Sequence, residues 1–269
     1  MYQIGQFVRF CCAFLWHGVK IYYASKRDIG EENDVRIAKL QSCGGAAICR
    51  ALNISVLVNG RMPVDKPMLI VSNHPGILDP WVLASRLVVS FVAKVEMRGW
   101  PIFGPIGRAC GLLFADRENR MRTTGLVDRI QERMRKGVPV LVFPEGTTSG
   151  ADTVLPFKTG AFAAVEKMPD AIVLPIYIWA EFIEGENSDE ITRKKIIWPR
   201  GVSLIRNAGT VLGIRSLGFE ILLGAPIETE QYDRKELAKM SQIMVEKLEN
   251  ATRPNASHLV TGGMKKRKA

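Results

Sequence analysis

The chain has 269 residues, of which 47% are hydrophobic and 24% are charged. This length suits one large domain, alone or with an appended segment, and the ordinary hydrophobic content excludes a membrane protein with many spans. Lysine and arginine total 37 against 27 acidic residues, which gives a formal net charge of +10. A basic surface of this kind suits anionic lipid, nucleic acid or the phosphates of an acidic carrier.

Cysteines and histidines are few. The five cysteines are odd in number and include no Cys-x-x-Cys pair, so we interpret them as reduced thiols in a cytoplasmic setting. Only three histidines are present, His17, His74 and His258, which argues against a multi-histidine metal site. We therefore expect neither a metal ion nor a bound cofactor.

The first 24 residues predict an amphipathic helix whose apolar part is too short to cross a membrane. Their longest uncharged run, residues 10–19, has ten residues, whereas a spanning helix needs about 20. One predicted face carries Phe7, Phe10, Cys11, Phe14, Gly18, Ile21 and Tyr22, and the opposite face carries Gln6, Arg9, Trp16 and Lys20. A helix lying in the membrane interface has this pattern, and so does a helix packed on the core of its own domain.

The segments that follow predict an α/β body. A charged connector at 28–34 precedes a predicted helix at 35–53, and a polar connector lies at 184–195. Apolar runs predict strands at 68–72, 111–117, 138–142, 171–179 and 219–223, and periodicity predicts helices at 77–87, 120–136, 157–167 and 233–250. We expect a layered mixed sheet with flanking helices. Residues 1–58 would form a membrane-associating helical segment, residues 59–250 the main domain, and residues 251–269 a basic, disordered tail.

A histidine and an aspartate lie five positions apart after the predicted strand 68–72. His74 falls on a strand-to-helix turn, where side chains reach a cleft, and Asp79 falls in the first turns of the next helix. A neutral imidazole accepts a proton from a hydroxyl near pH 7, and a carboxylate on its other nitrogen fixes the tautomer. The pair predicts the base half of an acyl-transfer site. The structural alternative is a histidine in a turn whose hydrogen bonds are satisfied within the protein.

Three further segments follow this pair in order. Residues 111–117 read Gly-Leu-Leu-Phe-Ala-Asp-Arg, residues 143–149 read Phe-Pro-Glu-Gly-Thr-Thr-Ser, and residues 174–176 read Leu-Pro-Ile. The ordered set resembles the glycerolipid acyltransferase family, which includes the 1-acylglycerol-3-phosphate O-acyltransferases. The family's first block matches Asn73, His74 and Asp79, its second matches Gly111, Phe114 and Arg117, its third matches residues 143–147 and Ser149, and its fourth matches Pro175.

This resemblance implies transfer of a fatty acyl group from acyl-CoA or acyl carrier protein to the free hydroxyl of a lysolipid. His74 would be the general base and Asp79 its partner. The expected substrate-binding residues are Asn73, Lys94, Arg117, Glu145, Gly146 and Thr147; for Lys94 a solvated lysine is the alternative, and for Glu145 and Gly146 a structural turn. The expected partners are membrane lipids and the acyl donor, not nucleic acid. The expected location is the cytoplasmic face of a membrane, as at a bacterial inner membrane.

Direct transfer is expected, without a covalent acyl-enzyme. A Gly-x-Ser-x-Gly elbow is missing from the sequence, which argues against a serine hydrolase. Ser72 and Cys110 lie near the blocks, and we interpret them as a polar strand residue and a small apolar filler. A basic, membrane-bound protein that binds lipid without catalysis is the remaining rival.

The third block departs from the family at one position. Thr148 stands where most members carry arginine, a candidate phosphate contact. Either another cation, such as Lys94 or Lys158, replaces that contact for 1-acylglycerol-3-phosphate, or the acceptor carries a weaker anion, such as the carboxylate of a lyso-ornithine lipid. We favour 1-acylglycerol-3-phosphate, with phosphatidic acid as product, because it is the commonest acceptor in the family.

Overall fold

A computed structural model gives the fold and describes residues 2–27, 32–63, 66–116, 120–150, 153–199 and 201–252, without the side chains of 120–124. The helices are α1 (Tyr2–Ser25), α2 (Asn33–Ala51), α3 (Asp79–Ala84), α4 (Phe103–Ala109), α5 (Arg120–Arg135), α6 (Ala163–Glu166), α7 (Glu190–Arg193), α8 (Leu204–Val211) and α9 (Arg234–Thr252). The strands are β1 (Ile54–Asn59), β2 (Met68–Ser72), β3 (Ser90–Lys94), β4 (Leu113–Ala115), β5 (Val140–Val142), β6 (Ile172–Ile183), β7 (Glu186–Asn187), β8 (Leu217–Leu223) and β9 (Ile227–Glu228).

One mixed sheet holds these strands in the order β1-β8-β6-β2-β5-β3-β4. Neighbours from β6 to β4 are parallel, β8 runs antiparallel to β6 and parallel to β1, and the short strands β7 and β9 pair with β6. The predicted mixed sheet with flanking helices is confirmed. Since β1 pairs with β8 along its whole length, the boundary predicted at residue 58 falls inside a strand of the sheet.

Strand β2 lies at the centre of the sheet and is buried on both faces. Met68 and Ile70 pack into one apolar cluster with residues of α2 and α3, whereas Leu69 and Val71 pack into a second cluster with residues of α5 and α9. A parallel strand covered by helices on both sides needs a continuous apolar run rather than an alternating one. This rigid central strand carries the histidine turn at its carboxyl end.

Helix α1 packs on the domain through the predicted apolar face, which agrees with the core-packed alternative of the sequence analysis. Phe14 is 7% exposed and its ring contacts those of Trp81 and Phe103, while Ile21 is 3% exposed. Gln6, predicted to face outward, is buried. The face assigned to the membrane is mostly the core-facing one, because a 3.6-residue period does not distinguish two apolar environments.

The opposite face of α1 is exposed and also largely apolar. Exposed side chains on this helix include Ile4, Val8, Leu15, Trp16, Val19 and Tyr23. Among the described helices, none is long and apolar enough to span a membrane.

Several predicted boundaries move by a few residues. The helix predicted at 77–87 is the shorter α3, and that at 157–167 is only the four-residue α6. The polar connector at 184–195 contains β7 and α7. Most of the tail predicted at 251–269 lies outside the described residues, since these end at 252.

Candidate active site

The His74 imidazole and the Asp79 carboxylate form a hydrogen-bonded pair at the carboxyl end of β2. Nδ1 of His74 lies 2.7 Å from Oδ2 of Asp79, which also accepts a hydrogen bond of 2.8 Å from the Gly76 backbone N–H. With Nδ1 donating to the carboxylate, Nε2 is the nitrogen left to accept a proton. The His74 side chain is 18% exposed and that of Asp79 only 2%, so the base reaches the surface while its partner is enclosed.

The Asp79 carboxyl lies in a buried environment. Burial raises the pKa of Asp79 above its ordinary value, and the hydrogen bonds from His74 and from the Gly76 N–H oppose that rise. An imidazolium beside a buried carboxylate is stabilised by an attraction that water screens poorly. The pair is therefore suited to hold a proton briefly during a reaction at Nε2.

The main chain of His74 is held on both sides by the third sequence block. Its N–H donates a hydrogen bond of 3.1 Å to Oε1 of Glu145, and its carbonyl accepts one of 2.9 Å from the Ser149 N–H. The block follows β5, which pairs in parallel with β2, so its residues arrive at the same edge of the sheet. The structure thus brings together two blocks that the sequence separates by about 70 residues.

Phe143 contacts the His74 ring directly, and the sequence analysis did not select it as a site residue. Its ring stacks on His74 with centroids 4.0 Å apart and planes 17° apart, and Phe91 lies behind it at 6.5 Å. Stacking limits rotation of the imidazole and places an aromatic face against any imidazolium that forms. The sequence singled out Phe143 only as the first residue of the matched block. Nothing in the sequence indicated that its ring would contact His74.

Glu145 is buried, with 2% of its surface exposed. Its Oε2 atom has no hydrogen-bond partner among the described residues. Burial raises the pKa of Glu145 to about 8; the N–H groups of His74 and Leu155 oppose this rise, while Asp79 and Glu249 add to it. The side chain is therefore enclosed by the protein, next to the histidine turn.

The loop after Glu145 turns sharply at Gly146. Gly146 has a φ of +75°, which favours glycine, and its N–H donates to the Phe143 carbonyl at 3.0 Å. The side chain of Lys158 lies over it, since a Cβ atom on Gly146 would come within 2.8 Å of the lysine Nζ. Thr147 follows and is half-buried. The lysine amine is therefore close to this loop.

Asn73 and Thr148 are both engaged with the protein itself. The Asn73 amide donates to the Ile178 carbonyl at 2.9 Å and accepts from the Ile178 N–H at 2.8 Å, which joins β2 to β6. The Thr148 hydroxyl donates to the Trp198 carbonyl at 3.0 Å. Both geometries favour structural roles for these two side chains.

Of the two cations predicted to bind the acceptor, the structure describes Lys94 and does not describe Arg117. Lys94 ends β3 and is exposed, beside the end of β4 at Ala115. Arg117 comes two residues after that strand and lies outside the described residues.

Ser72 and Cys110 lie near the matched blocks, and neither is in an environment that suits a nucleophile. Ser72 is fully buried and donates its hydroxyl to the Asn73 carbonyl at 2.9 Å. Burial raises the pKa of the Cys110 thiol to about 12, which keeps it protonated near pH 7.

The mixed α/β sheet presents the His74–Asp79 pair at the carboxyl end of its central strand, an arrangement suited to general-base chemistry. Comparison with known proteins gives the family. The Acyltransferase family model matches residues 54–179. The chain is 31% identical to the lyso-ornithine lipid O-acyltransferase of Brucella abortus over 208 residues, covering 75% of this chain and 78% of that relative. It therefore belongs to the acyltransferase family, within which its relatives act on lysolipids.

Two further similarities bear on the acceptor and on the fold. The 1-acyl-sn-glycerol-3-phosphate acyltransferase of Neisseria meningitidis is 32% identical over 120 residues, covering 44% of this chain and 47% of that protein. The crystal structure of the 1-acyl-sn-glycerophosphate acyltransferase of Thermotoga maritima superposes with a TM-score of 0.69 at 21% identity. It covers 93% of this chain and 94% of its own, which shows that the fold is shared.

Proposed function

We propose that the protein transfers a fatty acyl group from a thioester donor, acyl-CoA or acyl carrier protein, to the free hydroxyl of a lysolipid. The observation that carries this proposal is the 2.7 Å contact between His74 and Asp79 in a chain of the acyltransferase family. The contact leaves Nε2 of a surface-reaching imidazole as a proton acceptor, which is what activation of a hydroxyl requires.

The reaction runs in one displacement. Nε2 of His74 takes the proton of the lysolipid hydroxyl while its oxygen attacks the thioester carbonyl carbon, and Asp79 stabilises the imidazolium that forms. The tetrahedral intermediate then collapses, the carbon–sulfur bond breaks, and the leaving thiolate takes the proton from His74. The products are the acylated lipid and the free thiol of the carrier. The bonded, buried hydroxyl of Ser72 and the raised pKa of Cys110 favour this direct route over an acyl-enzyme.

The acceptor that we propose is a lyso-ornithine lipid, whereas the sequence analysis favoured 1-acylglycerol-3-phosphate as the commonest acceptor in the resembled family. The lyso-ornithine relative from Brucella abortus aligns over 75% of this chain, against 44% for the Neisseria meningitidis phosphate-type relative. Thr148 supplies no cation, and its hydroxyl is bonded to Trp198. A carboxylate needs fewer positive contacts than a phosphate, so this loop suits it better. 1-Acylglycerol-3-phosphate, also called lysophosphatidate, remains the second candidate. Lys158 offers a cation near the loop, and Lys94 offers one at the neighbouring strand end.

Attachment to the membrane is proposed through the exposed face of α1. Its members Ile4, Val8, Leu15, Trp16, Val19 and Tyr23 form an exposed, largely apolar strip on a basic protein. An interfacial helix buries such a strip among lipid chains while cations contact anionic headgroups. We place this contact at the cytoplasmic face of a bacterial membrane, where acyl-CoA and acyl carrier protein are made.

The decisive experiment is an activity assay on purified protein in detergent. Acyl-CoA and acyl carrier protein thioesters are each supplied with a panel of lysolipids, and products are identified by mass. We expect acylated product with wild type and none above background with His74→Ala. Equal product from both proteins would refute the role of His74, and tight lipid binding without any product would favour the rival lipid-binding function.

A further inference from the structure

Glu145 is buried in a way that does not suit a residue that binds the substrate. It is 2% exposed, and one of its oxygens accepts the backbone N–H of His74 at 3.1 Å. The other oxygen is buried and has no hydrogen-bond partner among the described residues. A carboxylate that binds the substrate would expose at least one oxygen at the protein surface.

The surroundings of Glu145 also disfavour contact with the acceptor. The loop turns at Gly146 immediately after it, and the Lys158 side chain covers that turn. Burial raises the pKa of Glu145 to about 8, so its carboxyl is largely neutral at pH 7 and offers little charge to a headgroup. Asp79 and Glu249 are near enough to disfavour ionisation of Glu145 further. These features favour contacts of Glu145 with the protein over contacts with the lipid acceptor.

We infer that Glu145 is a positioning residue that acts through the main chain of His74 and makes no contact with the acceptor. This inference rests on the proposed function. The Glu145 carboxyl oxygen accepts a hydrogen bond from the His74 N–H, and the Ser149 N–H donates one to the His74 carbonyl. The two bonds fix the peptide units on either side of the catalytic ring, so the direction of Nε2 is set before substrate binds.

The matched variants are Glu145→Gln and Glu145→Ala. Glutamine keeps a carbonyl oxygen for the His74 N–H and has almost the same volume, whereas alanine removes the acceptor and leaves a buried N–H unpaired. The pKa of about 8 means that the carboxyl is largely neutral at pH 7, so glutamine also copies its charge. A positioning role therefore predicts rescue by glutamine.

Steady-state kinetics with the acceptor varied provide the test, with melting temperature checked in parallel. We expect Glu145→Gln to keep kcat and acceptor KM within about threefold of wild type, with an unchanged pH profile between pH 6 and 8. Glu145→Ala should lower kcat by about 10- to 100-fold with acceptor KM changed less than threefold, in line with misplacement of a catalytic group.

Two outcomes would overturn the inference. One is a tenfold or larger rise in acceptor KM for Glu145→Gln at near-normal kcat, which would identify a substrate ligand. The other is full activity in Glu145→Ala. If alanine prevents folding, Glu145→Gln alone still decides between ligand and positioning residue. Absence of product from wild type with every lysolipid would instead refute the proposed function, so the two failures are distinguishable.

Discussion

The Thr148 hydroxyl donates a hydrogen bond of 3.0 Å to the carbonyl oxygen of Trp198. The Trp198 N–H in turn donates to the Pro75 carbonyl at 2.9 Å, and Ile197 forms an antiparallel bridge with Gly76. A Cβ atom on Gly76 would lie 2.5 Å from the carbonyl oxygen of Ile196, so only glycine allows this approach. Residues 196–198 therefore cross the histidine turn and join it to the third block. The turn that carries His74 is therefore held in place by a segment from the carboxyl-terminal half of the chain.

The first prediction concerns the base and its partner. His74→Ala should lower kcat by about 10²- to 10⁴-fold, as expected for loss of a general base. Asp79→Asn should also impair turnover, because an amide that donates to Nδ1 leaves the proton on Nε2. Single-turnover product formation measures both effects. Thermal melting serves as the control for folding, and near wild-type transfer by His74→Ala would contradict the assignment.

Phe143 provides a second prediction. Replacement by leucine keeps the apolar volume but removes the aromatic face from His74, and aromatic pairs contribute about 0.5–1.5 kcal/mol. We expect kcat to fall by about 2- to 12-fold at unchanged acceptor KM. Phe91→Leu is the matched control, because it lies behind Phe143 and outside the stack on His74. Equal losses for the two variants would indicate general loosening of the core.

The third prediction uses the titration of Glu145. Its pKa of about 8 in the folded protein lies above the ordinary 4.5. Between these values the folded state binds more protons than the unfolded chain, so this group lowers stability as pH rises from about 4.5 to 8 and has no further effect above. Glu145→Gln removes the titration and should gain about 2–5 kcal/mol relative to wild type between pH 5 and pH 8.5, at 1.36 kcal/mol per pKa unit.

Denaturant unfolding of both proteins at the two pH values measures this difference, because titrations common to both cancel in it. The result does not depend on any enzymatic activity. Parallel pH dependence in the two proteins would show that Glu145 is ionised in the folded state over this range.

Features formed by residues close together in the sequence were predictable, whereas contacts between distant residues were not. The His74–Asp79 pair was predictable, because strand, turn and helix are adjacent in the chain and carry their own patterns. The stack of Phe143 on His74 and the contact of Glu145 with the His74 N–H join residues about 70 positions apart. Such contacts depend on strand order, which periodicity does not contain. For α1 the periodicity left open whether the apolar face packs on the core or on a membrane, because it does not distinguish two apolar environments.

Membrane attachment gives the fourth prediction. Deleting residues 1–24 is a poor test, because α1 buries Phe14 and Ile21 and its loss would expose the core. Val19→Asp and Leu15→Asp change only the exposed strip. Each should weaken binding to anionic vesicles by about 10- to 100-fold, the value of burying such a side chain in an apolar phase. Ile191→Asp, at a site that is 73% exposed on α7, is the matched control.

Vesicle flotation measures this binding, with circular dichroism to confirm that the helix content is unchanged. Flotation of the α1 variants equal to that of the Ile191 control would show that the strip does not touch lipid.

The last prediction concerns the headgroup. Lyso-ornithine lipid and lysophosphatidate compete for wild type in one reaction, and product masses give their ratio. We expect the ornithine product to dominate, and dominance of phosphatidic acid would overturn that choice. Thr148→Arg should shift the ratio toward phosphatidic acid by about 10-fold or more, because a charge-assisted contact contributes about 1.5–3 kcal/mol. Arginine also removes the hydroxyl bond to Trp198, so total activity should fall in the same variant.

Thr148→Ser separates these two effects. Serine keeps a hydroxyl for the Trp198 carbonyl and adds no charge, so both its activity and its product ratio should match those of wild type. Thr148→Ala removes the bond alone and should lower activity at a constant ratio. If Thr148→Arg lowers activity with the ratio also constant, position 148 supports the crossing segment and does not read the headgroup. Lys158→Gln then becomes the informative variant, since its amine lies over Gly146 in the same loop.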